Sequence, residues 1–203
     1  KVLTTGAENV FVGERAGDAA TTGGNNTGVG HKALSSLTTA DSNEAFGNDA
    51  LQALTTGTNN VAVGYEAGLS MTTAAKNAIV GYQAGTSIIN AGENAILGDG
   101  AGQSITDHGR NVFVGHNSGA NQKGETNVFI GKDAGLGSAT SNNDGTVAVG
   151  FEALKGLTTG DGNTAVGYQS LSSETVASQS TAIGYEALGN QVGGSGNVGN
   201  IGI

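Results

Sequence analysis

The chain has 203 residues, no cysteine, no proline and a net charge of −9. With no basic patch to neutralise phosphates, nucleic acid is excluded as a partner. The lack of cysteine excludes disulfides and thiolate metal ligands, and no apolar run reaches the length of a membrane-inserting helix.

From the N-terminus onward a glycine recurs behind a large apolar residue, at Gly13, Gly30, Gly47, Gly64, Gly81, Gly98, Gly115, Gly131, Gly150, Gly167 and Gly184. The spacing is 17 six times, then 16, 19, 17 and 17. A period this short marks stacked coils. Each copy runs asparagine (replaced only by Thr146 and Ser180), two variable residues, a large apolar residue, glycine, two variable residues and a small residue. Asn60-Val-Ala-Val-Gly-Tyr-Glu-Ala-Gly68 and Asn163-Thr-Ala-Val-Gly-Tyr-Gln-Ser-Leu171 are examples.

Each column has a physical role. The short β-branched residues before the glycine suit a strand. The residue just before it, including Val63, Val80 and Val166, is never polar, so this column is expected to face a dry interior. The glycines, among them Gly64, Gly81 and Gly167, permit a tight corner or a close approach by a neighbouring coil. Alanine or serine three residues later implies a narrow interior. Asparagines four residues before the glycine, including Asn60, Asn77 and Asn163, can pair their amides from coil to coil. The spacers Leu37-Thr-Thr, Leu54-Thr-Thr, Met71-Thr-Thr and Leu157-Thr-Thr read as a short second strand.

A helical repeat needs more than about thirty residues per unit, and glycine, threonine and asparagine are poor helix formers. A disordered chain would not hold an apolar column in register through eleven copies. The fold class is therefore all-β, a parallel β-solenoid or β-roll with a 17-residue coil. Residues 1–195 form a shaft of about eleven coils, and residues 196–203 form a transition segment out of the repeat. Phe11, Ile79, Ile96, Phe113 and Phe129, two before the glycine, alternate in face with the expected interior column. They need cover from a second layer or, as favoured here, from other subunits. The chain begins at Lys1 with the repeat running to both ends, as in a piece of a longer protein.

Two irregularities follow in chain order. The interval from Gly131 to Gly150 carries two extra residues in Gly137-Ser-Ala-Thr-Ser-Asn-Asn-Asp-Gly145. Insertions in solenoids map to loops on one face, so Asn142, Asn143 and Asp144 are candidate ligand-facing residues beside the alternative of a tolerated bulge. At the end, Gly196-Asn-Val-Gly-Asn-Ile-Gly-Ile203 shifts the register.

The unit Asn-Thr-Ala-Val-Gly-Tyr-Gln-Ser-Leu with its Leu-Thr-Thr-Gly spacer resembles repeats of phage tail-fibre-type proteins. It is also similar to the head repeats of trimeric autotransporter adhesins, whose coil is shorter. The closing segment is similar to the stretch that follows such repeats in tail fibres. The resemblance covers residues 6–203 and implies a left-handed β-roll, assembled as a homotrimer, in an extracellular or virion fibre. Its function would be that of a rigid rod presenting receptor-binding surfaces, with a cell-surface polysaccharide or receptor as partner.

Chemistry is sparse. His31 and His116 share a column five coils apart, and His108 lies in a turn. No catalytic set is indicated, so no enzyme, cofactor or metal site is expected. Calcium-binding nonapeptides and a phosphate loop are absent. Tyr65, Tyr82, Tyr168 and Tyr185, with Phe151, form short aromatic ladders after the corner glycine. They would serve either as a sugar-stacking platform or as braces between coils. The threonine columns raise ice binding as an alternative, although adjacent threonines in a strand face opposite ways and the ladder fails at Ile89 and Lys123.

Overall fold

The computed structural model describes residues 6–138, 141–191 and 199–203. It is all-β, a single parallel solenoid of about eleven turns. Each coil contributes one three-residue strand: β1 Val10–Val12, β2 Thr27–Val29, β3 Glu44–Phe46, β4 Val61–Val63, β5 Ala78–Val80, β6 Ala95–Leu97, β7 Val112–Val114, β8 Val128–Ile130, β9 Val147–Val149, β10 Thr164–Val166 and β11 Thr181–Ile183. A twelfth strand, β12 Ile201–Gly202, pairs with β11. All pair in parallel in sequence order, so that like residues stack, Val63 on Val80 and Ala165 on Ala182. At the usual strand spacing, eleven coils make a shaft of about 50 Å.

Four left-handed or related conformations per coil close the turn. The corner glycine has φ near +135°, as at Gly64 (φ 138°). A Cβ there would lie 2.3 Å from the carbonyl oxygen of Gly81 in the next coil. Both the backbone angle and the stacking therefore demand glycine. The residues two and four after it also have positive φ, as does the residue before each asparagine. With so many reversals no second strand can form, and the expected Thr-Thr strand is a bend instead.

Buried asparagines join the coils. Asn60 accepts at Oδ1 from the Asn77 backbone N–H (3.1 Å) and from Asn77 Nδ2 (3.0 Å). Its own Nδ2 donates to the Ala74 carbonyl (2.8 Å), across the coil, and to Asn43 Oδ1 (3.0 Å). Coil-to-coil bonds of this kind run from Asn9 to Thr146 and resume from Asn163 to Ser180.

The expected interior column is on the outside. Val12, Val63 and Leu97 are 56%, 37% and 50% exposed. The middle residue of each strand fills the core instead: Ala45, Ala62, Ile79, Ile96, Phe113 and Phe129 are buried. Neither column carries a polar residue, so polarity did not distinguish them. Phe113, Phe129, Ile79 and Ile96 therefore need no cover from other subunits, and the structural residues Val63, Val80 and Val166 lie on the outer face.

The core is filled reciprocally. Where the mid-strand residue is large, the residue four after the corner is glycine, as in Phe11/Gly17, Ile79/Gly85, Phe113/Gly119 and Phe129/Gly135. Where it is small, that residue is leucine, as in Gly28/Leu34, Ala45/Leu51, Ala148/Leu154 and Ala165/Leu171. A Cβ at Gly135 would sit 2.5 Å from the Phe129 ring. In the coil of Ala62 and Gly68 both are small, and Met71 reaches in, its sulfur 2.8 Å from where a Gly68 Cβ would stand. The leucines hold positive φ (Leu171 at 48°), an angle unfavourable to a side chain, so burial must outweigh that strain.

Ala165→Phe alone should cost about 1–3 kcal/mol by overpacking, since Leu171 already occupies that space. Adding Leu171→Gly should recover most of the loss in thermal midpoint. Simple addition of the two single losses would contradict reciprocal filling.

Candidate functional site

Because coils stack in register, like residues at the surface form ladders. Tyr65 and Tyr82 follow corner glycines and stack with ring centroids 5.2 Å apart and planes 13° from parallel. Phe151, Tyr168 and Tyr185 stack at 5.2 and 5.1 Å. Tyr168, the inner ring of the second ladder, lies between Phe151 and Tyr185, and Lys132 Nζ lies 5.6 Å from the Phe151 centroid. The ladders thus offer ring edges and hydroxyls to solvent, with open faces only at their ends.

Carboxylates and amides alternate beside the rings. Gln83 Nε2 donates to Glu66 Oε2 (2.7 Å), and Gln169 Nε2 to Glu152 Oε2 (2.6 Å). Lys155 Nζ donates to Glu152 Oε1 (2.7 Å). Lys155, and after it Gln169, hold the Glu152 carboxyl below its ordinary value, and Glu152 raises Lys155 in return. Hydrogen bonding to Glu66 raises the Tyr65 phenol, and Glu186 raises Tyr185 in the same way.

The three insertion candidates part company. Asn142 is exposed, and its backbone N–H donates to the Thr158 carbonyl (2.8 Å). Asp144 is exposed and accepts the Glu125 N–H (2.8 Å), while its own N–H donates to Asp161 Oδ1 (2.9 Å). Asn143 is buried, its carbonyl accepting from Asn127 Nδ2 (2.7 Å), so it does not face solvent. No hydrogen bond or ring contact joins these residues to the tyrosines among the described residues. Ala139 and Thr140 of the insertion lie outside them.

The paired threonines also differ from expectation. In a bend, neighbouring side chains need not face opposite ways; Thr38 is half-buried and Thr39 exposed, both outside the core. Thr21, Thr38, Thr55 and Thr158 each donate the hydroxyl hydrogen to the threonine carbonyl of the next coil, at 2.7–3.0 Å. These hydroxyls brace the shaft.

Two further features were not read from sequence. The buried leucine-like column becomes polar at Gln122, Ser141 and Glu174. Gln122 Nε2 donates to the Gly135 carbonyl (2.7 Å), and Glu174 Oε1 accepts the N–H groups of Thr175, Val176 and Ala177 (2.9, 3.0 and 2.9 Å). Polar letters interrupting that column were the available signal. The second feature is the outer face of the sheet, a double row of strand residues with Val10/Val12, Val61/Val63, Ala95/Leu97 and Val112/Val114 among them. Over Ala78 and Ala95 this face dips into a groove of about 430 Å³, rimmed by Lys76 and Glu93. Among the described residues no group of three histidine or acidic side chains could hold a metal ion, and no helix is long and apolar enough to cross a membrane.

A depressed Glu152 pKa gives stability that is present above the unfolded-state value and lost as pH falls through the folded one. Lys155→Met should raise the Glu152 midpoint in an NMR titration. The stability gap between wild type and variant should close as pH falls through that folded midpoint. An unchanged titration would mean that Lys155 is not the main cause. No family model, curated protein or solved structure matches the chain.

Proposed function

We propose that the chain is a non-enzymatic shaft segment of an extracellular or virion fibre, of the phage tail-fibre or cell-surface adhesin kind. In this reading it works as a homotrimeric rod that carries receptor-binding surfaces towards a cell-surface polysaccharide or receptor. The observation that carries it is the apolar outer face of the sheet, which extends along the strands while the core is closed and filled. A contiguous exposed apolar strip of this extent marks an association surface.

Further copies of the same chain are the occupant this face fits best. It runs the length of the shaft, and only a partner with the same rise per coil can keep its side chains in step along all of it. Glu44 is the one charged residue at the outward positions of the described strands, so like-charged copies meet with little repulsion there. The groove over Ala78 and Ala95 leaves space for a larger side chain of a neighbouring copy. Burying an exposed valine stabilises by about 1.5–3 kcal/mol when complete, and the face offers many.

Light scattering of the purified chain should give about 60 kDa, three times the 19.8 kDa chain. Val63→Asp combined with Leu97→Asp should reduce the mass to one chain while the far-ultraviolet β signal is kept, since both side chains lie outside the core. A single-chain mass for the wild type at all concentrations would overturn the assembly.

A further inference from the structure

The tyrosines are placed for a chemistry that the shaft reading does not use. The chain has four tyrosines, and in-register stacking brings all four into two pairs on adjacent coils. Tyr65 and Tyr82 lie 5.2 Å apart, and Tyr168 and Tyr185 lie 5.1 Å apart. These four residues are 40%, 52%, 41% and 73% exposed. The outward edges carry the hydroxyl and the carbons ortho to it, where phenoxyl radicals couple. Other readily oxidised side chains do not compete. There is no cysteine or tryptophan, and the single methionine, Met71, is buried.

We propose that Tyr65–Tyr82 and Tyr168–Tyr185 are sites of oxidative dityrosine cross-linking between neighbouring coils, driven by a one-electron phenol oxidant such as a haem peroxidase with hydrogen peroxide. Each phenol gives up one electron and its phenolic proton. That proton passes to solvent or to a neighbouring carboxylate such as Glu66 or Glu186, which follow Tyr65 and Tyr185 in the chain. The two radicals join through a carbon–carbon bond between ortho positions. Each displaced ortho hydrogen then moves to its own ring oxygen and restores the phenol. Peroxide accepts the two electrons and two protons and becomes two waters, so the chain loses two hydrogens per link. The rings must swing from face-to-face to edge-to-edge, which their exposure at the corner permits. Each link would staple covalently two coils that are otherwise held only by hydrogen bonds, core packing and ring stacking.

The fold supplies its own control. Phe151 stacks on Tyr168 at 5.2 Å, as close as the tyrosine pairs, yet phenylalanine forms no phenoxyl radical. The test is oxidation of the intact chain by a haem peroxidase with limiting peroxide, followed by dityrosine fluorescence and peptide mapping. Trypsin cuts at Lys76, between Tyr65 and Tyr82, and a glutamate-specific protease cuts at Glu174, between Tyr168 and Tyr185. Linked peptides two hydrogens lighter should appear for both pairs, in a yield independent of protein concentration. Tyr82→Phe, which keeps a stacked ring, should abolish the first link and leave the second. The proposal is overturned if tyrosines are oxidised without these links, if links form only between chains, or if Tyr65 joins Tyr168 as readily as Tyr82. Because the yield is read within one chain, these outcomes are independent of whether the shaft is a trimer.

Discussion

The buried asparagine ladder is the interaction on which the rest of this structure depends. A coil of seventeen residues with one short strand has too few sheet hydrogen bonds to define its own closure. Asn60 and its equivalents supply the missing constraint in two directions. One bond crosses the coil to a spacer carbonyl, as from Asn60 to Ala74, and others reach the next coil's asparagine. Each ladder donor or acceptor stranded in the core would cost about 1–3 kcal/mol. A slip of one residue would strand several at once, so the ladder holds the register. The corner glycines depend on that register, since those from Gly13 to Gly167 each pack against the carbonyl of the next corner glycine.

Exact stacking turns each sequence column into a surface property. Tyrosine above tyrosine gives a ladder whose faces are mutually covered. Threonine above threonine gives hydroxyls directed to carbonyls. Valine above valine gives an apolar outer face with no partner among the described residues. The first two are internal braces exposed to solvent. The third is unsatisfied and supports the assembly proposed for the shaft.

The period, the corner glycines, the narrow alanine column and the asparagine ladder were all legible in the sequence, because each is held by one residue type with one physical cause. The sidedness of the strand was not. Val63 and Ala62 sit in neighbouring columns that both exclude polar residues, and the larger residue drew the interior assignment. The distinguishing signal lay six residues further on. Phe113 with Gly119, against Ala148 with Leu154, shows that the mid-strand column trades volume with the position after the corner. Only residues sharing one closed space do so. The spacer misled for a different reason: threonine pairs favour strands, but positive φ on both sides leaves Leu54-Thr-Thr no room to extend. Of the candidate site, the tyrosine stacking could be read from the columns, whereas the burial of Asn143 depends on how the two extra residues are absorbed.

The most direct test of the ladder is hydrogen exchange at the side-chain amides of Asn43, Asn60 and Asn77, followed by NMR on the intact chain. If these amides close and align the coils, their Nδ2 hydrogens should exchange as slowly as the backbone amides of β3, β4 and β5. Exchange at the rate of a free carboxamide, with the strands still protected, would contradict it.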